Sequence, residues 1–189
     1  MPYALGYITA ALWVAWFGYW IVSSGGVKPA ARSASWQSRL AYSAPLWVAV
    51  VLLINRDLSG VLDQRFLPAD LWIATVGVAL TAAGHGFAIC ARRALGTNWS
   101  REVTVKLDHE LVQSGPYAFV RHPIYTGLSL AFLGTAIAIG EWRGLLAMAL
   151  AVGSFWYKLG IEERVMTETF GTEYANYRKR VKALIPFLL

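Results

Sequence analysis

Val112-Gln113-Ser114-Gly115-Pro116-Tyr117-Ala118-Phe119-Val120-Arg121-His122-Pro123-Ile124-Tyr125 gathers turn-forming, aromatic and ionisable residues just where a long uncharged segment begins. Further along, past a second apolar segment, Ile161-Glu162-Glu163-Arg164 answers it. The remainder of the chain is rich in Leu, Ala, Val and Trp, so these two stretches hold most of the groups that could do chemistry. They mark the candidate site.

What surrounds them decides the fold class. With 189 residues, 57% apolar and only 15% charged, the chain is far from an average soluble domain and reads as a single integral membrane domain. Downstream of the opening stretch, Pro123 to Gly140 is an uncharged helix, Glu141-Trp142-Arg143 a tight polar turn, and Gly144 to Tyr157 another apolar helix. The last has about 14 uncharged residues, roughly 21 Å of helix, too short to clear the hydrocarbon core unaided. Its end, Lys158, is therefore expected near the headgroup plane, with the helix running on into water. Phe170-Gly171 offers a helix stop and Thr172 a fresh N-cap. Beyond it Tyr174, Tyr177, Val181 and Leu184 recur at spacings of three and four, which predicts a helix lying on the membrane surface.

Upstream, Leu95 to Arg121 is polar, carries turn signals at Gly96-Thr97-Asn98 and Ser114-Gly115-Pro116, and is too long for an ordinary connection. Before it, Leu71 to Ala91 is a full-length uncharged run ending at Arg92-Arg93, and Leu40 to Asn55 is a shorter one interrupted by Pro45. Pro2 to Val22 is uncharged and rich in Trp and Tyr. At about 1.5 Å per residue its roughly 20 residues cross a roughly 30 Å core, and with no Lys or Arg ahead of it the segment reads as an anchor rather than a signal peptide. The fold expected is all-α and polytopic, with about five transmembrane helices.

With five spans alternating, one side collects fourteen of the seventeen Lys and Arg residues and the other only Arg56, Arg65 and Arg143. That asymmetry predicts a cytoplasmic location for the rich side, which carries both the long loop and the C-terminal tail. The net charge of +6 is accordingly assigned to topology and anionic lipid headgroups, and no nucleic-acid partner is expected. Cys90, the single cysteine, excludes an intrachain disulfide.

Taken singly, the motifs are weak. Arg121-His122-Pro123 fits a charged membrane-entry anchor with Pro in the first helical turn, and Glu162-Glu163 fits a solvated pair with Lys158 four residues ahead. His85 lies inside a span, either as a functional group or as a neutral imidazole bonded to a neighbouring helix. The three histidines and Cys90 show no metal-ligand spacing, so no metal is expected, and there is no nucleophile elbow, Walker loop or dinucleotide fingerprint.

The combination is more specific. Gly96-Thr97-Asn98-Trp99-Ser100, His109-x-Leu-Val, Ser114-Gly115-x-Tyr117, Arg121-His122-Pro123-x-Tyr125-x-Gly127, Glu162-Glu163, Phe170-Gly171-x-x-Tyr174-x-x-Tyr177 and Ile185-Pro186-Phe187 occur in this order. The chain thereby resembles the isoprenylcysteine carboxyl methyltransferase family, membrane enzymes that use S-adenosylmethionine. The likeness covers about Arg92 to Phe187, while the first three helices match only as hydrophobic spans. It implies one membrane domain, with residues 1–94 as helices one to three and 95–189 as the cofactor-binding methyltransferase core. It also implies a cytoplasmic cofactor site formed by the loop before the fourth helix and the C-terminal helices.

Carried over position by position, the cofactor site falls on His109, Glu110, Leu111, Val112, Tyr117, His122, Pro123, Ile124, Tyr125 and Glu162. Thr104 stands where animal relatives have a glutamine that touches the cofactor. Lys158 and Arg121 are the catalytic candidates. Lys158 stands where those relatives have a substrate-binding arginine, and a compact ammonium lacks the flat bidentate fork of a guanidinium. The expected reaction is methyl transfer from S-adenosylmethionine to the carboxylate of a lipophilic or prenylcysteine-like acceptor at the membrane surface. Two alternatives stand beside it: an NAD(P)H-dependent membrane reductase sharing the same C-terminal core, and a non-enzymatic membrane scaffold.

Overall fold

The computed structural model describes residues 3–25, 30–33, 35–55, 60–99, 104–106 and 110–186. Five helices make up nearly all of it: α1 (Tyr3–Ser23), α2 (Trp36–Ile54), α3 (Leu71–Leu95), α4 (Pro123–Ile139) and α5 (Trp142–Arg180). A short antiparallel ribbon joins β1 (Ala30–Ser33) to β2 (Thr104–Lys106). By length and composition α1, α2, α3 and α5 can each cross a membrane, and α4 is a shorter apolar helix of 17 residues.

Helix boundaries differ from the hydropathy reading for local reasons, and α5 starts at Trp142, inside the stretch read as a polar turn, so Arg143 is a helical residue. α2 starts at Trp36 rather than Leu40, because Ser35 caps it by accepting from the Ser38 N–H at 3.3 Å. Arg39 is thus a helical residue rather than part of a loop. α3 runs on through Arg92-Arg93 to Leu95, the basic pair occupying a last turn where cations suit exposed carbonyls. At the start of α4, Pro123 takes the position whose N–H would be orphaned anyway, and Gly140 closes that helix at φ 69°.

The centre of the bundle is the α3–α4 contact, and small residues build it. Gly84 lies against Gly127 and Ala131, Gly77 against Gly134 and Ala138, and between them the Thr81 and Thr135 hydroxyls meet at 3.2 Å. Two apolar helices in lipid gain little from hydrophobicity, so close backbone approach and buried hydroxyl bonds replace it. α2 packs on α5 through Ala49, Leu52, Ala147, Ala151 and Phe155. Buried arginines close two helix ends: Arg143 donates to the α2 carbonyls of Leu52 and Leu53 and to that of Asn55, and Arg92 donates to the Ser23 carbonyl at the end of α1.

α1 is attached by an aromatic row, Trp13, Trp16 and Trp20, on one helical face. His85 of α3 stacks on Trp16 at 5.1 Å between centroids and meets Trp13 edge-on at 4.6 Å. Neither ring nitrogen of His85 has a hydrogen-bond partner among the described residues, so of its two readings the one with a bond to a neighbouring helix is not met, and the ring makes aromatic contacts instead.

The C-terminal part of the chain corrects another expectation. Gly171, at φ 51°, breaks α5 where the Phe170-Gly171 signal placed a stop. The residues after it do not lay their apolar face on lipid. Tyr174 and Tyr177 are each only 2% exposed, turned against the segment around Tyr117, whose carbonyl accepts the Tyr177 hydroxyl at 2.5 Å. A tyrosine face prefers such a surface because the rings are buried and the hydroxyl finds an acceptor.

Candidate functional site

The 110–122 segment and the C-terminal residues are joined by backbone bonds before any side chain is considered. The Arg121 N–H donates to the Lys182 carbonyl at 2.8 Å and the His122 N–H to the Ala183 carbonyl at 3.0 Å. The Thr126 hydroxyl adds a bond to the Leu184 carbonyl at 2.7 Å. This pairing fixes Arg121 and His122 at the mouth of α4, facing the turn of α5 that carries Glu162 and Glu163.

The two adjacent carboxylates serve different partners, as the roughly 100° step between neighbouring helical residues requires. Glu163 is buried under cations: Arg121 reaches its Oε1 at 2.5 Å and Arg178 its Oε2 at 3.0 Å. Arg121 is further held by the carbonyl of Val181. Glu162 accepts the Tyr125 hydroxyl at 2.6 Å, and Lys158 lies 3.9 Å from the same oxygen. His122 stands between them, its Nδ1 3.4 Å from Glu162 and its Nε2 3.3 Å from Glu163. Burial opposes a charge on this imidazole, but the two facing carboxylates outweigh it and raise its pKa. When protonated, the ring can donate one N–H to each carboxylate. Burial likewise pushes the Tyr117 phenol up, so it stays neutral.

Of these side chains Tyr117, Arg121, His122, Tyr125, Lys158 and Glu162, but not Glu163, line a cavity of about 520 Å3. Its polar end is lined by Glu110, Arg121, His122, Tyr125, Lys158 and Glu162, and its other end is aromatic and aliphatic, with Trp16, Phe17, Leu46, Leu128 and Phe155. Of the residues expected at the site, Glu110, Leu111, Val112, Tyr117, Arg121, His122, Ile124, Tyr125, Lys158 and Glu162 all line this one cavity. Pro123 is buried behind it at the start of α4. His109 lies outside the described residues, and so does the side chain of Thr104.

Several lining residues come from helices where the sequence offered no site. Trp16 and Trp20 of α1 and Arg39 and Tyr42 of α2 complete the wall, with Lys158 Nζ 5.2 Å from the centre of the Tyr42 ring. The i, i+3, i+7 spacing of Trp13, Trp16 and Trp20 was a legible sign of an inward face. Ser35 as an N-cap would have moved Arg39 onto a helix.

The arrangement suits a charged, polar molecule at one end and an apolar one at the other. Carboxylates from Glu110 and Glu162 can receive ammonium or hydroxyl groups, cations from Arg39 and Lys158 can receive an anion, and aromatic rings can flank a flat heterocycle or a hydrocarbon.

A multi-pass helical membrane protein with one such composite pocket at the ends of its helices is the class that this fold and site define. The sequence model for the phospholipid methyltransferase family matches residues 72–173, more than half of the chain. The chain belongs to that family. Among its relatives are the protein-S-isoprenylcysteine O-methyltransferase of Schizosaccharomyces pombe, 38% identical over 82 residues, which are 43% of this chain and 35% of that one. Another is protein-S-isoprenylcysteine O-methyltransferase B of Arabidopsis thaliana, 27% identical over 154 residues, 80% of this chain and 78% of the relative. A solved structure of a eukaryotic intramembrane Ras methyltransferase, isoprenylcysteine carboxyl methyltransferase, superposes with a TM-score of 0.57 at 26% identity, covering 82% of this chain and 54% of the other. The resemblance to the isoprenylcysteine carboxyl methyltransferases is therefore upheld in both sequence and fold, although this chain spans only about a third of the yeast relative and about half of the solved chain.

Proposed function

We propose that the protein is an S-adenosylmethionine-dependent O-methyltransferase acting on the carboxylate of a lipophilic, prenylcysteine-like acceptor, with its site on the cytoplasmic side of the membrane. The observation that carries this reading is the shared cavity, polar where Glu162, His122 and Tyr125 meet and apolar where α1, α2 and α5 face one another. The donor set fits the cofactor: Glu162 and Glu110 suit its ammonium and ribose hydroxyls, and Tyr117, Ile124 and Tyr125 suit the faces of its adenine. When bound there, S-adenosylmethionine supplies a sulfonium methyl, so that an acceptor carboxylate oxygen forms the O–CH3 bond as the S–CH3 pair returns to sulfur.

The protein's own part is positioning and exclusion of water. A carboxylic acid with a pKa near 3.5 is already ionised at neutral pH, so no general base is needed and none of the usual catalytic constellations is called for. Lys158 and Arg39 stand at the cavity wall as the cations that orient this anion, Arg39 restoring the planar fork that a lysine lacks. The Arg121–Glu163 pair acts one step back, holding the 110–122 segment against α5. Opposite charges attract more strongly in a site of low dielectric, and charge is lost as they react, so a dry pocket favours the transfer.

Incubating detergent-purified protein with radiolabelled S-adenosylmethionine and an N-acetyl prenylcysteine tests the reading. Base-labile label in the organic phase supports it; oxidation of NADPH with no methyl transfer would assign the core to reduction instead.

A further inference from the structure

A second cavity, of about 600 Å3, lies toward the opposite end of the bundle, by the start of α1 and the turn between α4 and α5. The same helices line both, each with a different half: Trp20, Tyr42 and Tyr125 of α1, α2 and α4 face the first, and Ala10, Leu53 and Thr135 of the same three helices face the second. The two are therefore stacked along the bundle, and Phe17 is on the wall of both.

What separates them is a set of rings. Trp13 is pinned by its Nε1 bond to the Thr135 hydroxyl at 3.1 Å and by Phe132 at 4.9 Å between centroids. Phe132 is only 2% exposed and cannot turn without opening the core. Phe17 differs: it is 44% exposed and its ring lies 6.3 Å from that of Trp13. It is the member of the barrier that can swing aside at small cost.

The gap in which Phe17 sits is open along its length. α1 packs on α3 and α4 and α2 on α5, while among the described residues α1 and α2 make at most slight contact with one another. From Trp20 to Gly6 this groove follows α1 for about 21 Å. Its floor is polar, for the guanidinium of Arg143 there is held by the carbonyls of Leu52 and Asn55 and by Glu141 at 2.6 Å. A hydrocarbon entering from the first cavity can extend as far as that floor and no further, because burying the Arg143–Glu141 pair against an apolar tail leaves it nothing to bond.

We infer that the second cavity receives the distal end of the acceptor's hydrocarbon tail, and that Phe17 sets the tail length the protein accepts. This rests on the acceptor reading proposed for the first cavity. It adds a subsite of stated chemistry, an apolar slot closed by Arg143 and Glu141, and a residue that divides short tails from long ones.

Two prenylcysteine probes with a diazirine at the tail end, one longer by an isoprene unit, test it by photolabelling of the full chain in detergent. The longer probe is expected to label second-cavity residues such as Leu53, and the shorter one first-cavity residues such as Leu46 or Leu128. Ala10→Trp, which fills the second cavity from an exposed helical position, should remove only the second-cavity labelling. Phe17→Ala should shift preference toward the longer tail by roughly tenfold in kcat/KM, the scale at which apolar pockets discriminate small length changes. Labelling confined to the first cavity with both probes overturns the inference and leaves the acceptor reading standing. No labelling of either cavity overturns that reading, and this inference with it.

Discussion

Tyr125, in the first turn of α4, donates its hydroxyl to Oε1 of Glu162 on α5 at 2.6 Å. The bond joins the two polar stretches of the chain at the wall of the cavity, and it leaves Glu162 as the carboxylate facing inward while Glu163 faces a cluster of arginines.

That division predicts opposite phenotypes for neighbouring residues. Glu163→Ala leaves Arg121 and Arg178 close together and uncompensated, and removing one partner of a buried pair costs about 3 kcal/mol or more. Glu162→Ala should cost less stability. Thermal midpoints of the two variants in one detergent decide it, and a larger loss for Glu162→Ala contradicts the assignment.

Helix packing gives a second contrast. A Cβ on Gly127 would stand 2.6 Å from the Gly84 carbonyl oxygen and 2.8 Å from the Ala88 nitrogen, so Gly127→Ala must push α3 and α4 apart, at about 1–3 kcal/mol. Gly86 has nothing within 4 Å, and Gly86→Ala should be neutral or stabilise by up to about 1 kcal/mol through helix propensity. Equal midpoints for the two variants would show that the contact is looser than described.

His122 supplies a pH dependence. Burial works against its charge, the carboxylates of Glu162 and Glu163 work for it, and the pKa ends above its ordinary value near 6.5. A raised folded pKa contributes stability that is complete below about pH 6.5 and is lost as pH climbs through the raised value. The midpoint difference between the wild type and His122→Gln should therefore shrink as pH rises through that window. A difference that grows with pH would mean the ring is neutral in the folded protein.

Lys158 and Arg39 should act on the acceptor and not on the methyl donor. An ion pair four residues apart is worth only about 0.2–0.5 kcal/mol, so Lys158→Ala should leave donor affinity within about twofold while methyl transfer is lost. Arg39→Ala should raise KM for a carboxylate acceptor, and Arg39→Lys should recover only part of it because the planar fork is gone. Wild-type turnover in both alanine variants would leave the acceptor carboxylate without a partner on this wall.

How far the sequence reached depends on the range of the interaction. Helices were legible wherever uncharged runs exceeded a bilayer's span, and Gly171 and Pro123 marked a break and a start because backbone constraints are local. The meeting of Arg121-His122 with Glu162-Glu163 was legible as ordered motifs. The bonds that divide labour between the two carboxylates were not, since they depend on helix phase against another segment. Arg39 falls outside the uncharged run from Leu40 to Asn55 because hydropathy treats a charge as a boundary, whereas a cap at Ser35 carries the helix past it. The burial of Tyr174 and Tyr177 was misread as membrane contact, for amphipathic spacing identifies an apolar face without saying what covers it.

The central claim is that Glu162 and its neighbours hold the methyl donor, and titration calorimetry of S-adenosylhomocysteine into the purified protein tests it most directly. The account predicts saturable binding at one molecule per chain, abolished in Glu162→Gln and retained in Lys158→Ala. Equal binding by the wild type and Glu162→Gln, or binding of NADPH in place of S-adenosylhomocysteine, would contradict it.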